Sequence, residues 1–248
     1  QLCLAWAARR LGALVRWQQN RSEAFVADLH GRDNRSQASA MIDENGRIHA
    51  LKVTAHANMG AWLSNFSTYI PTMSGCRTLT TVYDIPATSL RVIGVVTNTP
   101  AVDAYRGAGR PEANYLMERL MDHIAIFTGK SRVAIRKTNM ITAAQIPYTM
   151  PVGGSIDSGD MPALLDTATK KADLAGFAAR RQDSQSRGLL RGIGYGMYLE
   201  QCGGGTDSGV SIEFSADGQI VLHAAQQCNG QGHRSTLTQI LSDRLSYD

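Results

Sequence analysis

The sequence lacks the features that mark several large classes of protein. None of its 248 residues falls in an apolar run near the roughly 18 residues of a membrane-spanning helix, so no membrane span is expected and a soluble, globular chain is predicted. Its four cysteines form no C-x-x-C pair, which argues against a zinc ribbon and a disulfide-rich secreted scaffold. We therefore expect a reducing, cytoplasmic compartment. The 25 basic residues form no cluster, which disfavours a nucleic-acid partner.

Both ends also lack something. The first residues, QLCLAWAARRLG, do not show the basic, apolar and small-residue regions of a signal peptide in the required order. The last residues, HRSTLTQILSDRLSYD, stop shortly after a helical pattern. From these patterns we expect the chain to be a piece of a longer protein.

Hydrophobic spacing predicts a mixture of helices and strands. Residues 2–12 have helical spacing, and the next residues, ALVRW, have strand character. Two strands, SQASAMID and RIHALKVTAHANMGAW, flank Asn45-Gly46, a dipeptide typical of a tight hairpin. After another apolar run, TSLRVIGVVTN, a helix with one buried face is predicted from Pro111 to a stop at Gly129. The predicted fold class is α+β, with mixed sheets and packed helices.

The chain is predicted to contain two sub-domains. Residues 141–160 are rich in glycine and have little periodicity, so we predict a linker there between sub-domains at 1–140 and 161–248. Beyond the linker, RGIGYGMYLEQ is predicted to be a strand, and a second hairpin is predicted at Asp217-Gly218. The segment CNGQGH then leads into a last helix.

The stretch AYRGAGRPEA, at 104–113, predicts an anion-binding corner. Pro111 suits the first helical position, and Arg110 has no acceptor to cap the unpaired N–H groups of the first turn. Those donors and the positive end of the helix are then available to an anion. Gly107 and Gly109 would let the backbone approach a ligand closely, and Arg106 adds a forked donor. The alternative is a solvated turn in which the glycines serve only the bend.

A second loop has a similar design. Gln231 lies between Gly230 and Gly232 at the start of the last helix, where it offers both a donor and an acceptor. Neither loop has the third glycine of a dinucleotide-binding fingerprint or the Lys-Ser/Thr of a Walker loop. The histidines have no metal-ligand spacing with a third partner, so no metal site made of protein side chains is predicted.

Four motifs in order carry a family resemblance. AYRGAGRPEA, IRKTNMI, RGIGYGMYLE and GQGHRSTLTQILSDRL together resemble the molybdopterin-binding large subunit of the xanthine dehydrogenase and aldehyde oxidase family, in particular its carbon monoxide dehydrogenase-like members. This resemblance implies two molybdopterin-binding sub-domains, the second of them incomplete. It also implies a molybdenum hydroxylase-type oxidoreductase, which hydroxylates an aldehyde or heteroaromatic C–H with oxygen derived from water.

The resemblance also assigns site residues. Arg106 matches the loop arginine beside the molybdenum, Gly107, Ala108 and Gly109 form the loop wall, and Ala108 lies in the substrate pocket. Tyr105 is expected to line the same pocket, the alternative being that its ring only packs. In the second cofactor loop, the matching residues are Gly230, Gln231 and Gly232. The implied cofactor is molybdopterin with Mo, in the cytosine dinucleotide form. The implied partners are an FAD-binding subunit and a [2Fe-2S] iron–sulfur subunit, in a dimer of heterotrimers.

Two departures from the family pattern limit these expectations. Copper-containing carbon monoxide dehydrogenases have a cysteine in the first loop, where this chain has Ala108, so Mo–Cu chemistry is disfavoured. The family's upstream glycine loop and its general-base glutamate find no match, so no catalytic residue is assigned and the chain alone is expected to be inactive. Two alternatives stay open: a non-catalytic fragment or degenerate paralogue, and an unrelated phosphate- or nucleotide-binding module.

Overall fold

The computed structural model describes residues 2–201, 209–228 and 230–246, which form two compact units, 1–201 and 202–248. The helices are α1 (Leu2–Leu11), α2 (Arg21–Ala27), α3 (Arg110–Thr128), α4 (Arg132–Asn139), α5 (Met161–Lys171), α6 (Phe177–Ser186) and α7 (His233–Leu245). The strands are β1 (Asn34–Ile42), β2 (Ile48–Gly60), β3 (Ala87–Val96), β4 (Tyr148–Thr149), β5 (Ser155–Ile156), β6 (Val210–Phe214) and β7 (Ile220–Ala224). The α+β class predicted from the sequence is confirmed.

The largest sheet is built around strand β2. Strand β1 pairs with it in antiparallel register through the predicted hairpin, where Gly46 adopts a φ of 80°. Strand β3 pairs with the other edge of β2 in parallel, so the chain between them crosses from one end of the sheet to the other. Alternate β2 side chains, among them Leu51 and Val53, are buried in the core, as expected for a sheet with one face covered.

Helix α3 covers this core and carries the predicted loop at its N-terminus. Its buried side chains include Met117, Met121 and Ile124, and Gly129 ends the helix in a left-handed conformation. The helix predicted from Pro111 to Gly129 is therefore confirmed.

A buried ionic cluster joins α3 to α4. The Arg136 guanidinium, 0% exposed, donates from Nε to Glu118 (2.9 Å) and from Nη2 to Asp122 (3.0 Å). The Tyr83 hydroxyl donates to the other oxygen of Glu118. Because each partner is satisfied, the cluster fixes how the two helices pack.

Two strands predicted from the sequence are wrong. Residues 13–17 form no strand, and the side chains of Leu14 and Trp17 are 86% and 61% exposed, because no neighbouring strand offers them a ladder. Residues 191–201 also pair with no strand. Instead, the Asn114 amide donates to the Leu199 carbonyl (3.0 Å) and accepts from its N–H (2.9 Å). A side chain thus takes the place of a partner strand.

The unit at 202–248 contains the second predicted hairpin, β6–β7, with Gly218 at a φ of 84°, and then helix α7. The predicted bounds of the sub-domains, 1–140 and 161–248 with a linker at 141–160, stay a prediction. No helix in the described part of the chain is long and apolar enough to cross a membrane.

Candidate functional site

The loop before α3 has an unusual backbone. Gly107, Ala108 and Gly109 have φ values of 90°, 37° and 92°, so three consecutive residues lie in the left-handed half of φ space, which favours glycine. A Cβ on Gly109 would lie 2.7 Å from the backbone N of Gly75 and 2.8 Å from the carbonyl oxygen of Ile70. Glycine is therefore required at position 109 both by the conformation and by close packing.

Side chains hold three successive carbonyl groups of this loop. Arg32 donates to the carbonyl of Arg106, and the Ser74 hydroxyl donates to that of Ala108 at 2.5 Å. The carbonyl of Gly107 accepts from the backbone N–H of Arg110 at 3.1 Å and from its guanidinium at 3.4 Å. The carbonyl oxygens are thus all bonded to the protein.

The loop N–H groups differ from the carbonyls. The N–H of Ala108 donates to Tyr105, whereas those of Gly107 and Gly109 find no acceptor within the residues that the structure describes. In a planar trans peptide the N–H points away from the carbonyl of the same unit, so holding the carbonyls of Arg106 and Ala108 fixes the direction of both free donors. Such donors suit an anionic group.

A pocket of about 490 Å³ opens beside the loop. It is lined by Arg32, Tyr105, Arg106, Gly107, Arg110, Pro111, Tyr198 and Glu200. Three guanidinium groups thus face one carboxylate, and the guanidinium of Arg106 has no partner among the described residues. The Arg32 guanidinium stacks 4.8 Å from the centre of the Tyr105 ring. The surplus of positive charge and the free N–H group of Gly107, which lines the pocket, fit an anionic cofactor.

Glu200 neutralises part of this charge. Its Oε1 lies 3.3 Å from Nε of Arg110, but the N–H is not aligned with it, so the contact is an ion pair without a hydrogen bond. Its Oε2 accepts a 2.7 Å hydrogen bond from the Tyr198 hydroxyl, which raises the pKa of Tyr198. Of the three guanidinium groups, that of Arg110 is the one that is already paired with a carboxylate.

Four residues of this site, Arg32, Ser74, Tyr198 and Glu200, were not predicted from the sequence. Arg32 and Ser74 come from distant segments and belong to no motif, and no role in a site was predicted for Tyr198 and Glu200. By contrast, the predicted Tyr105, Arg106 and Gly107 do line one pocket. Ala108 and Gly109 belong to the same loop, and Gly109 is buried behind it. The role of these residues in holding a cofactor stays a prediction.

The second predicted loop lies in the other unit. Gly230 and Gly232 have φ values of 108° and 72°, and Gly232 precedes α7 without a side-chain cap. Backbone N–H groups near the Cys228 sulfur, foremost that of His233 and then those of the two glycines, lower the pKa of its thiol. Converging N–H groups of this kind form an anion-binding concavity. Gln231 is exposed, and Asn229 lies outside the described residues.

The two loops belong to different units of the chain. Their convergence on one ligand stays a prediction. Within the described ranges, no group of three or more His, Cys, Asp or Glu side chains could hold a metal ion.

Comparison with known proteins identifies the family. Models of the molybdopterin cofactor-binding domain match residues 1–140 and 167–248. The chain is 27% identical over 246 residues to the 6-hydroxypseudooxynicotine dehydrogenase complex subunit gamma of Paenarthrobacter nicotinovorans, covering 97% of this chain and 31% of that protein. It is 31% identical to the carbon monoxide dehydrogenase large chain of Hydrogenophaga pseudoflava, covering 98% and 32%.

The structural comparison agrees. Quinoline 2-oxidoreductase from Pseudomonas putida 86 has a TM-score of 0.88 and 27% identity, over 98% of this chain and 32% of that one. The chain spans about a third of the length of the relatives it matches. Because both family models match and together cover most of the sequence, the chain is not an unrelated phosphate-binding module. It belongs to the family of molybdopterin-binding large subunits that includes xanthine dehydrogenases and carbon monoxide dehydrogenases.

Proposed function

We propose that the chain binds the molybdopterin of a molybdenum hydroxylase through the loops at Tyr105–Arg110 and Gly230–Gly232. The observation that carries the proposal is the first loop, whose carbonyl groups are bonded to the protein while the N–H groups of Gly107 and Gly109 have no acceptor among the described residues. This arrangement matches the needs of an oxygen-rich anion. Family membership supplies the identity of that anion.

The residues of the pocket would contribute to binding in different ways. Arg106 offers a forked donor without a partner in the described chain, and the N–H of Gly107 lies beside it on the pocket wall. Arg110, paired with Glu200, contributes less net charge and closes the wall against Pro111. Arg32 holds the backbone of Arg106 and orients the Tyr105 ring. Together they would position an anion beside the loop.

The bound cofactor would supply oxidative hydroxylation of an aldehyde or heteroaromatic C–H with oxygen derived from water. We assign Tyr105 and Ala108 to the substrate side of the pocket, and no general base within the described chain. Because Ala108 has no aromatic ring on which a purine could stack, its small side chain leaves room for substrates other than purines.

Copper chemistry is not part of this proposal. The loop has no cysteine, and Cys76 is next to Gly75, the residue that packs against Gly109. Burial raises the pKa of the Cys76 thiol, which disfavours the thiolate that a soft metal requires.

We also propose the assembly that such chemistry requires. Electrons would leave through [2Fe-2S] clusters and FAD on partner subunits, in a dimer of heterotrimers, and the pterin would be the cytosine dinucleotide form. The names of the relatives support a subunit role, since they are a subunit gamma of a complex and a large chain. The free thiols of Cys3, Cys76 and Cys228 support a cytoplasmic location.

Replacing Arg106 with alanine tests the proposal. Loss of charge-assisted hydrogen bonds, worth about 1.5–3 kcal/mol, should weaken cofactor retention about 10- to 150-fold. Molybdenum and pterin are measured per chain in the purified holoprotein, and the unfolding midpoint is compared with wild type. Arg91→Ala is the matched control, because Arg91 is an exposed arginine on β3. Wild-type cofactor content in Arg106→Ala would contradict the assignment.

A further inference from the structure

We propose that Ser74 is a positioning residue for the cofactor-facing loop, and this inference rests on the proposed function. Its hydroxyl donates to the Ala108 carbonyl at 2.5 Å, although the two residues lie 34 positions apart. Arg32 and Arg110, which also hold loop carbonyls, line the pocket and are able to touch a ligand themselves. Ser74 is not among the residues lining this pocket, so its influence on a ligand there passes through the loop.

The position of Ser74 is fixed by its surroundings. It is the last residue of a π-helical turn, Ile70–Ser74, and is 6% exposed. The next residue, Gly75, donates its N–H to the Ile70 carbonyl at 2.9 Å and lies against the backbone of Gly109. This turn is therefore a rigid support pressed against the protein side of the loop.

The hydrogen bond from Ser74 controls one peptide plane. The Ala108 carbonyl and the Gly109 N–H belong to the same planar unit, so fixing the first fixes the second. Rotation of this unit changes ψ of Ala108 and φ of Gly109, and glycine tolerates almost any φ. Ala108 itself lies at a φ of 37°, an unfavourable value for a residue with a side chain. The Ser74 hydroxyl is the side-chain group that holds this unit in place.

The effect of losing this hydrogen bond on the loop can be estimated. A single neutral hydrogen bond changes an equilibrium about fivefold, so the population of loop conformations with a rotated peptide should rise by that factor in Ser74→Ala. The free N–H group of Gly109 would then spend more time in other directions, whereas that of Gly107 stays fixed by the bond from Arg32 to the Arg106 carbonyl. The core should be little affected, because the substitution removes one oxygen atom.

Three variants test the role of Ser74. Ser74→Ala removes the hydroxyl, and Ser74→Thr keeps it. Thr72→Ala is the matched control, since the Thr72 hydroxyl donates to the carbonyls of Thr68 (2.6 Å) and Tyr69 (3.5 Å) in its own turn and not to the loop. Should Ser74→Ala fail to fold, Ser74→Cys, with a weaker donor, replaces it. Unfolding midpoints are measured for all variants.

The first measurement uses cofactor-free protein. Exchange of the amide hydrogen of Gly109, a buried residue, should be about fivefold faster in Ser74→Ala than in wild type and unchanged in Thr72→Ala, as followed in the peptide covering 105–110. The second uses holoprotein, in which the electron paramagnetic resonance spectrum of the reduced molybdenum should shift in Ser74→Ala, return in Ser74→Thr and stay unchanged in Thr72→Ala.

The outcomes separate the two proposals. Unchanged exchange in Ser74→Ala overturns the role of Ser74. Faster exchange with an unaltered molybdenum spectrum overturns its link to the cofactor. Wild-type protein that purifies without molybdenum from the complete complex overturns the proposed function and this inference with it.

Discussion

The buried cluster around Arg136 gives a prediction whose size follows from its contacts. Replacing Arg136 with methionine removes the donor shared by Glu118 and Asp122, which lie 2.9 and 3.0 Å away. The buried carboxylate of Glu118 then loses its guanidinium, and Asp122 keeps only the looser ion pairs with Arg119 and Arg132, each at 3.6 Å. Breaking a buried ion pair at one partner costs about 3–5 kcal/mol. The guanidinium also lies 5.4 Å from the Tyr195 ring centre, so its loss affects the segment that leads to Glu200. We expect a loss of about 3–5 kcal/mol in unfolding free energy.

Urea denaturation of wild type and Arg136→Met checks this value, and exposed Arg91→Ala should stay within about 0.5 kcal/mol of wild type. Arg136→Lys keeps the positive charge but loses the forked guanidinium, so its unfolding free energy should lie between those of wild type and Arg136→Met. In a protein that already carries Glu118→Gln and Asp122→Asn, Arg136→Met should cost much less, since no charge is left unpaired. A loss below about 1 kcal/mol in Arg136→Met alone would refute the view that this cluster fixes α3 against α4.

Two further predictions concern pH and glycine. Burial would raise the pKa of Asp84, but hydrogen bonds from Tyr148, Arg47 and Gln145 outweigh it, so the pKa is lowered. The stability that the ionised carboxylate contributes is therefore present above its unfolded pKa of about 3.9 and is lost as pH falls through its lower folded pKa. The difference in unfolding free energy between wild type and Asp84→Asn, measured by urea denaturation, should shrink in acid, and a constant difference would contradict this. Gly109→Ala should lower the unfolding free energy by about 2–5 kcal/mol, because the left-handed φ adds about 1–2 kcal/mol and the contact at 2.7 Å adds about 1–3 kcal/mol. Gly129→Ala, with the same kind of φ but open space around it, should lower it by only about 1–2 kcal/mol in thermal or urea denaturation. Equal losses in the two variants would contradict the packing argument.

Local signals in the sequence were sufficient for the elements that depend on local physics. Helix α3 was predicted from Pro111 to Gly129 because a proline suits the first turn, a glycine suits the left-handed stop, and the apolar residues between them recur at helical spacing. The hairpin at Gly46 was predicted for the same kind of reason. In each case, the information lies within a few residues of the feature.

The two strands predicted wrongly show where local signals end. Residues 13–17 and 191–201 have strand-like composition, but a strand also needs a neighbour, and the neighbour is set by the packing of distant segments. Residues 191–201 bond to Asn114, whose contact with Leu199 spans 85 positions. The spacing of apolar residues in neither segment predicts that pairing.

The candidate site divides in the same way. Its loop was found from the sequence, because paired arginines, glycines and a proline before a helix have a direct physical meaning. The side chains that orient the loop were not found, because a hydroxyl or guanidinium bonding to a distant carbonyl leaves no mark on residue order. Arg32 is 74 positions from Arg106, and Ser74 is 34 from Ala108. The donor groups that a loop presents to a ligand can therefore be predicted from the loop's own residues. The direction in which those donors point depends on residues that only the fold brings close.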